Sequence, residues 1–219
     1  MRRPTDAQIA AFQNVPTGFV ADAMGGGGAL DRQIGPIGDG RDIDCVAAGP
    51  ALTADNGPAD VLALFAALQM VRPGDIVMNA FHGHQGCAAG GDRTMGILRN
   101  NDGAGLVTDG PMRDYAGIVA VGVPVWCTGL TPSSPYASGP GTVGLPIEIG
   151  GRHVETGDMV VGDRDGVVVV PFAKIDDVIV RLKDIRALEE KLDAEVEAGR
   201  KSFDKVDAII KSGGVRYVD

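Results

Sequence analysis

Ala104-Gly105-Leu106-Val107-Thr108-Asp109-Gly110-Pro111-Met112-Arg113-Asp114 joins an apolar, strand-like run to a polar segment that carries two carboxylates around an arginine. Residues 104–108 read as a strand. Pro111 is favoured in a first helical turn, where its missing N–H costs nothing, so Arg113 and Asp114 are expected in that turn beside unpaired backbone donors. In an alternating α/β fold, ligands gather at the carboxyl ends of the strands. That placement makes Asp114 a candidate for holding a hard cation and Arg113 for gripping a carboxylate through its planar fork of donors. The same residue types also serve as a helix cap and a surface ion pair, and residues 109–114 taken alone fit both descriptions. Asp109 is expected to support the Arg113 side chain, the other option being that it only shapes the turn.

Working outward, strand-like runs alternate with helical patterns. Residues 46–54 read as a strand and 59–71 as an amphipathic helix. The turn Arg72-Pro73-Gly74-Asp75 leads into a strand at 76–80. A glycine-rich bend at 82–91 precedes a helix at 92–100, and 123–128 reads as a further strand. Nearer the N-terminus, 8–12 and 18–24 look helical and end in Gly25-Gly26-Gly27-Gly28, which lacks the Lys-Ser/Thr ending of a phosphate loop. This alternation implies α/β packing. From 131 to 171 the texture changes to short strands and turns, including Pro146-Ile147-Glu148-Ile149, Glu155-Thr156-Gly157-Asp158 and the buried-strand run Val167-Val168-Val169-Val170. That segment reads as added β structure closing the same core. The two x-Gly-Asp-[Ile/Met]-Val turns read as one local turn used twice.

Composition narrows the setting. A chain of 219 residues with 44% hydrophobic content supports one substantial core, a single domain with an appendage rather than two domains. Its 33 glycines point to many tight turns and close backbone approaches. The net charge of -9 argues against a nucleic-acid partner. It does not exclude a small anionic substrate, because a local arginine cluster and a metal can overcome the global field. Cys45, Cys87 and Cys127 are odd in number and form no CxxC, which supports neither a disulfide framework nor a zinc knuckle. No apolar run approaches membrane-spanning length, and the first residues lead into no apolar leader segment. The expectation is a cytoplasmic protein with no membrane partner.

Periodicity near the C-terminus gives a second clue. Val178, Leu182, Ile185, Leu192 and Val196 fall on alternating four- and three-residue steps, and the missing step in that seam is Glu189. Burying an uncompensated charge costs several kcal/mol, so Glu189 should meet an arginine or a metal shell wherever this face docks. The alternative is a helix that frays beyond Leu188 and leaves Glu189 solvated. A long terminal helix is also a natural arm for a neighbouring subunit.

Residues 59–80 with their Pro-Gly-Asp turn, Gly90-Gly91-Asp92, the 105–114 stretch, and Gly157-Asp158-Met159-Val160-Val161-Gly162-Asp163-Arg164-Asp165-Gly166-Val167 together resemble the RraA-like family. That family includes the regulator of ribonuclease activity A and the class II 4-hydroxy-4-methyl-2-oxoglutarate aldolases, which also decarboxylate oxaloacetate. The resemblance implies a single compact α/β/β, swivelling-domain-like core over residues 1–172. Residues 173–219 would form a long C-terminal helical extension packing on a neighbouring subunit of a homotrimer or hexamer. In the aldolase branch, Arg113 would bind the substrate carboxylate and Asp114 would ligate Mg²⁺ or Mn²⁺ directly. Asp92 and Glu189, the latter acting across subunits, would reach the metal through water and complete the catalytic set with Arg113. Backbone amides after the Gly-Asp element would cradle the pyruvyl end, which implicates Gly91, Arg93 and Thr94; at 93 and 94 the chain departs from the family's apolar pair.

The implied chemistry suits these groups. Retro-aldol cleavage of a 4-hydroxy-2-oxo acid, or decarboxylation of oxaloacetate, places negative charge on the C2 oxygen, and a divalent ion stabilises that charge as a Lewis acid. Two other readings compete. One is a non-catalytic regulator like the ribonuclease-regulating branch, whose members lack the C-terminal helix bearing Glu189. The other takes His82-x-His84 as the metal pair of a hydrolase, since alternate residues on a strand share a face; solvated histidines on a glycine-flanked loop are the plainer interpretation.

Overall fold

Strand β2, Ala47–Asp55, is buried along nearly its whole length and organises the molecule. The computed structural model describes residues 1–217. Along one edge β2 pairs in parallel with β3, Ile76–Ala80, with Ala51 opposite Ile76 and Asp55 opposite Ala80. Two more parallel strands follow, β4 at Gly105–Thr108 and β5 at Val125–Cys127. The connections are helical: α3 at Leu62–Leu68, α4 at Asp92–Asn100 and α5 at Tyr115–Val121. Every residue of β3, β4 and β5 is buried, as expected for parallel strands covered on both faces.

The other edge of β2 pairs antiparallel with β9, Met159–Asp163, which forms a hairpin with β10, Gly166–Val170. At the far side a short β1, Gly35–Pro36, pairs antiparallel with β5. The order is therefore β1-β5-β4-β3-β2-β9-β10, with β6, Thr142–Val143, added to the end of β2 and a separate hairpin of β7, Ile147–Ile149, and β8, Arg152–Val154. β1 and β10 touch, so the sheet curls almost into a barrel. Trp126 fills the interior: it is fully buried, its indole N–H donates to the Asp163 carbonyl at 2.8 Å, and a Cβ on Gly162 would lie 2.5 Å from its Cζ2. Glycine at 162 is thus the condition for β5 and β9 to face one another across the core.

The repeated Gly-Asp turn is as read. Asp75 accepts the Arg72 amide and Asp158 the Glu155 amide, each at 2.9 Å, with Gly74 and Gly157 left-handed at φ 82° and 96°. The two turns flank the middle of β2 at Pro50 and Ala51, and Arg3 pairs with Asp75 while Arg2 pairs with Asp158. At the N-terminus, α1, Asp6–Ala11, opens with a capping box between Thr5 and Gln8, and α2, Thr17–Ala23, packs on the β9–β10 hairpin.

Several boundaries differ from expectation, three of them for an identifiable reason. α3 is shorter than 59–71 because Ala59 is left-handed and Asp60, just before the Val61 N-cap, holds a turn by accepting the Leu62 amide at 2.8 Å. β5 begins only after Pro124, which has no N–H to give the ladder. The third bears on function: Pro111 does not start a helix, and Arg113 and Asp114 are not in a first helical turn. Residues 111–113 are extended and tied on both sides, with Ala89 N–H bonded to the Pro111 carbonyl (2.7 Å), Arg113 N–H to Gly90 O (3.1 Å) and Met112 bridged to Leu130. α5 starts at Tyr115, with Asp114 as its N-cap in the left-handed region at φ 60°. Interstrand partners on two sides outweigh the local helical preference of Pro111.

The chain divides into two units, residues 1–182 and a smaller one from residue 183. The helix α6, Ile175–Glu197, contributes Ile175, Val178 and Leu182 as buried residues of the first. In the second, α6 continues unbroken to Glu197, so the frayed alternative does not hold; Arg200 pairs with Glu195, and α7, Asp204–Ile209, follows. Cys45, Cys87 and Cys127 are buried free thiols, and burial pushes the Cys127 thiol up to about 11. Among the described residues no helix is long and apolar enough to cross a membrane.

Candidate active site

The carboxyl ends of β3 and β4 deliver two loops that meet at the N-terminus of α4. The first, residues 81–91, is steadied from beneath by fully buried Asn79, whose amide donates to the Ala89 carbonyl (3.3 Å) and Thr108 Oγ1 (3.4 Å). The second, residues 109–114, is fastened to the first by the Ala89–Pro111 and Gly90–Arg113 backbone bonds. Ser133 O accepts the Ala88 amide and adds a third segment, residues 129–134, to the same seam. These bonds place Gly91 directly beneath the arginine: a Cβ there would lie 2.8 Å from Asp114 Oδ2 and 3.1 Å from Arg113 Cγ.

Arg113 is held at two points. Its Nη1 donates to Ser134 Oγ at 2.7 Å, and its Nε lies 3.3 Å from Asp114 Oδ2. With a side chain 37% exposed, the fork keeps donors facing solvent. Asp92 opens α4, and its Oδ1 accepts the Arg93 amide at 2.6 Å. The Asp92 carboxylate also rests on α5, where a Cβ at Gly117 would come within 2.6 Å of Asp92 Oδ2. Gly91, Asp92, Arg93, Thr94, Arg113 and Asp114 line one open cavity of about 660 Å³, together with Phe65 and Ile97. The structure therefore brings six of the seven sequence-predicted site residues into one place. The seventh, Glu189, lies in the C-terminal unit, half-buried and without an ion pair among the described residues.

One expectation is corrected. Asp109 does not support Arg113; its carboxylate accepts the amides of Phe81 (2.6 Å) and Gly83 (2.8 Å) and so fixes the start of the 81–91 loop. Of the two amides expected to cradle the pyruvyl end, that of Arg93 is taken by Asp92, while the Thr94 amide makes no hydrogen bond outside its helix. His82 and His84 do not converge on a common ligand position. His82 Nε2 meets Asp55 Oδ1 at 2.6 Å, whereas the His84 ring packs edge-on against Phe81. Ser134, Gly117, Phe65 and Ile97 were not singled out from the sequence. Only Gly117 left a trace there, as a glycine inside a helical pattern.

The donor set indicates what the cavity can hold. Asp92 opens α4 and Asp114 caps α5, both carboxylates line one cavity and are seated against the glycines 117 and 91, and no third His, Cys, Asp or Glu joins them among the described residues. That set fits a hard divalent cation that keeps several of its waters, with Asp92 and Asp114 as the residues that would hold it. An arginine fork beside it suits a carboxylate.

A curled, mixed sheet with charged groups gathered where the loops leave β3 and β4 defines an α/β protein with a candidate site at the carboxyl ends of its parallel strands. The chain belongs to the RraA-like family, described as Aldolase/RraA, whose model matches residues 17–169. A Halalkalibacterium halodurans protein named "Putative 4-hydroxy-4-methyl-2-oxoglutarate aldolase" is 32% identical over 182 residues, covering 83% of this chain and 85% of that one. Among solved structures, Streptomyces coelicolor RraAS2, described as an unusual member of the RNase ES inhibitor RraA protein family, matches with a TM-score of 0.71 at 28% identity. The match covers 91% of this chain and 100% of RraAS2. A Pseudomonas syringae protein of uncharacterised function shares the fold with a TM-score of 0.78 at 20% identity, over 92% of this chain and 97% of its own.

Proposed function

We propose that this chain is a divalent-metal-dependent class II pyruvate aldolase that cleaves a 4-hydroxy-2-oxo acid such as 4-hydroxy-4-methyl-2-oxoglutarate and also decarboxylates oxaloacetate. The observation that carries this reading is the meeting of Arg113, Asp114 and Asp92 at the N-terminus of α4 in one cavity. The name of the H. halodurans relative supports it.

Arg113 grips the C1 carboxylate of the substrate, its fork pre-aligned by Ser134 and Asp114. Such a charge-assisted contact is worth about 1.5–3 kcal/mol. The metal, when bound, supplies Lewis-acid stabilisation of the negative charge that develops on the C2 oxygen. Asp92, held by the Arg93 amide and the α5 backbone at Gly117, would orient the water that draws the proton from the C4 hydroxyl. The C3–C4 bond breaks, its electron pair moves towards the C2 oxygen, and a proton returned to C3 gives pyruvate. With oxaloacetate the same bond breaks and CO₂ leaves without a base. In this reading the chain assembles as a trimer or hexamer, and Glu189 of a neighbouring copy completes the site.

The test is pyruvate release by Arg113→Lys and Arg113→Ala. A point charge replaces the fork in the first and nothing in the second, so KM should rise on the order of 10- to 100-fold, further in Arg113→Ala. Mixed oligomers of Arg113→Ala and Glu189→Ala should show activity above that of either variant alone, because one site in the mixture keeps both residues. The likeness to RraAS2 over its full length favours a second reading, a non-catalytic regulator resembling the regulator of ribonuclease activity A. Wild-type protein that binds a ribonuclease and releases no pyruvate would decide for the regulator.

A further inference from the structure

The cavity holds a second guanidinium that the steps above leave unused. Arg93 stands on the exposed face of α4, one turn before Ile97, while Thr94, Met95 and Leu98 turn inward. Both Arg93 and Ile97 line the cavity that contains Arg113, Asp92 and Asp114. Arg113, steadied by Ser134 and Asp114, is assigned to the first carboxylate, whereas the Arg93 guanidinium has no ion pair or side-chain hydrogen bond among the described residues. An exposed arginine needs no partner, so its value as a clue lies in charge. Two guanidiniums and two carboxylates leave the lining neutral, and a divalent cation then leaves two positive charges. A dicarboxylate matches that field; a monocarboxylate leaves one charge unmet.

We infer that Arg93 receives the second carboxylate of the substrate, which makes this site selective for 2-oxo dicarboxylic acids over 2-oxo monocarboxylic acids of equal length. The inference rests on the lyase reading for the placement of the first carboxylate on Arg113. It assigns Arg93 a side-chain role separate from its backbone amide, which Asp92 occupies. The planar fork binds a carboxylate in two-point fashion, so lysine at this position should serve only in part.

The experiment compares binding of 2-oxoglutarate and 2-oxopentanoate to the full chain with Mg²⁺ by calorimetry, in wild type, Arg93→Gln and Arg93→Lys. Wild type should prefer the diacid by about tenfold or more, the scale of one charge-assisted contact. In Arg93→Gln the ratio of affinities should collapse towards one, and in Arg93→Lys it should lie between. Equal affinity in wild type, no binding of either acid, or a preference that survives in Arg93→Gln overturns the inference. Pyruvate release from 4-hydroxy-4-methyl-2-oxoglutarate, measured on the same samples, separates the two claims. An Arg93-dependent preference without turnover removes the lyase and keeps Arg93 as an anion selector, whereas turnover with an Arg93-independent preference removes only this inference.

Discussion

Gly117 is the position where a single added carbon bears most directly on the proposed chemistry. Its missing Cβ is what lets the Asp92 carboxylate rest on α5. Alanine favours a helix over glycine by about 0.5–1 kcal/mol, so Gly117→Ala has no intrinsic reason to unfold the protein. It should instead displace Asp92 and lower kcat on the order of 100-fold while leaving the thermal midpoint within a few degrees, which turnover assays and calorimetry would check. Unchanged kcat would mean that Asp92 does not need this seat. The residue types at the site were legible in the sequence because Asp, Arg and Gly occur there in two short motifs. Ser134 was not, since its contact with Arg113 joins residues far apart in the chain and a lone serine in a loop carries no signal. Asp109 was misread for a related reason: its adjacency to Arg113 in sequence outweighed two loop amides, at Phe81 and Gly83, that only the fold brings near.

At the scale of elements, α3 shows how one carboxylate sets a boundary. Burial alone would raise the Asp60 pKa, but the amides of Leu62, Ser138 and Gly139 outweigh burial and hold it below the ordinary carboxylate range. A carboxylate whose pKa is depressed by folding contributes stability above its unfolded pKa and loses it as pH falls through the folded value. Asp60→Ala should therefore cost about 1–3 kcal/mol in denaturant unfolding at pH 7, with the difference from wild type shrinking below about pH 4. A difference independent of pH would contradict the assignment. β3 and α4 were read from the sequence with their observed bounds, because Pro-Gly-Asp and Gly-Gly-Asp mark their starts. The 111–114 segment was misread because its partners, Ala89, Gly90 and Gly129 through Leu130, lie outside any local window. That misreading moved the helix start by a few residues without moving Arg113 away from the strand end.

For the molecule as a whole, the alternation of apolar runs and helical patterns revealed an α/β fold but not the curl of its sheet. Closure depends on Trp126 and Gly162, residues on β5 and β9 whose pairing no periodicity records. Trp126→Ala should cost about 3–5 kcal/mol by denaturant unfolding, a core-sized loss from the one tryptophan in the chain. A loss below about 1 kcal/mol would mean that the interior does not rely on it. The seam on α6 disclosed Glu189, yet a periodic pattern in one chain says nothing of what its charged position meets, and the mixed-oligomer experiment addresses that question. The central claim, a metal-assisted lyase at the junction of the 81–91 and 109–114 loops, is tested most directly by pyruvate release from 4-hydroxy-4-methyl-2-oxoglutarate with Mg²⁺ and again with EDTA. The account predicts turnover that EDTA abolishes and Mg²⁺ restores; turnover indifferent to EDTA, or none in either condition, would contradict it.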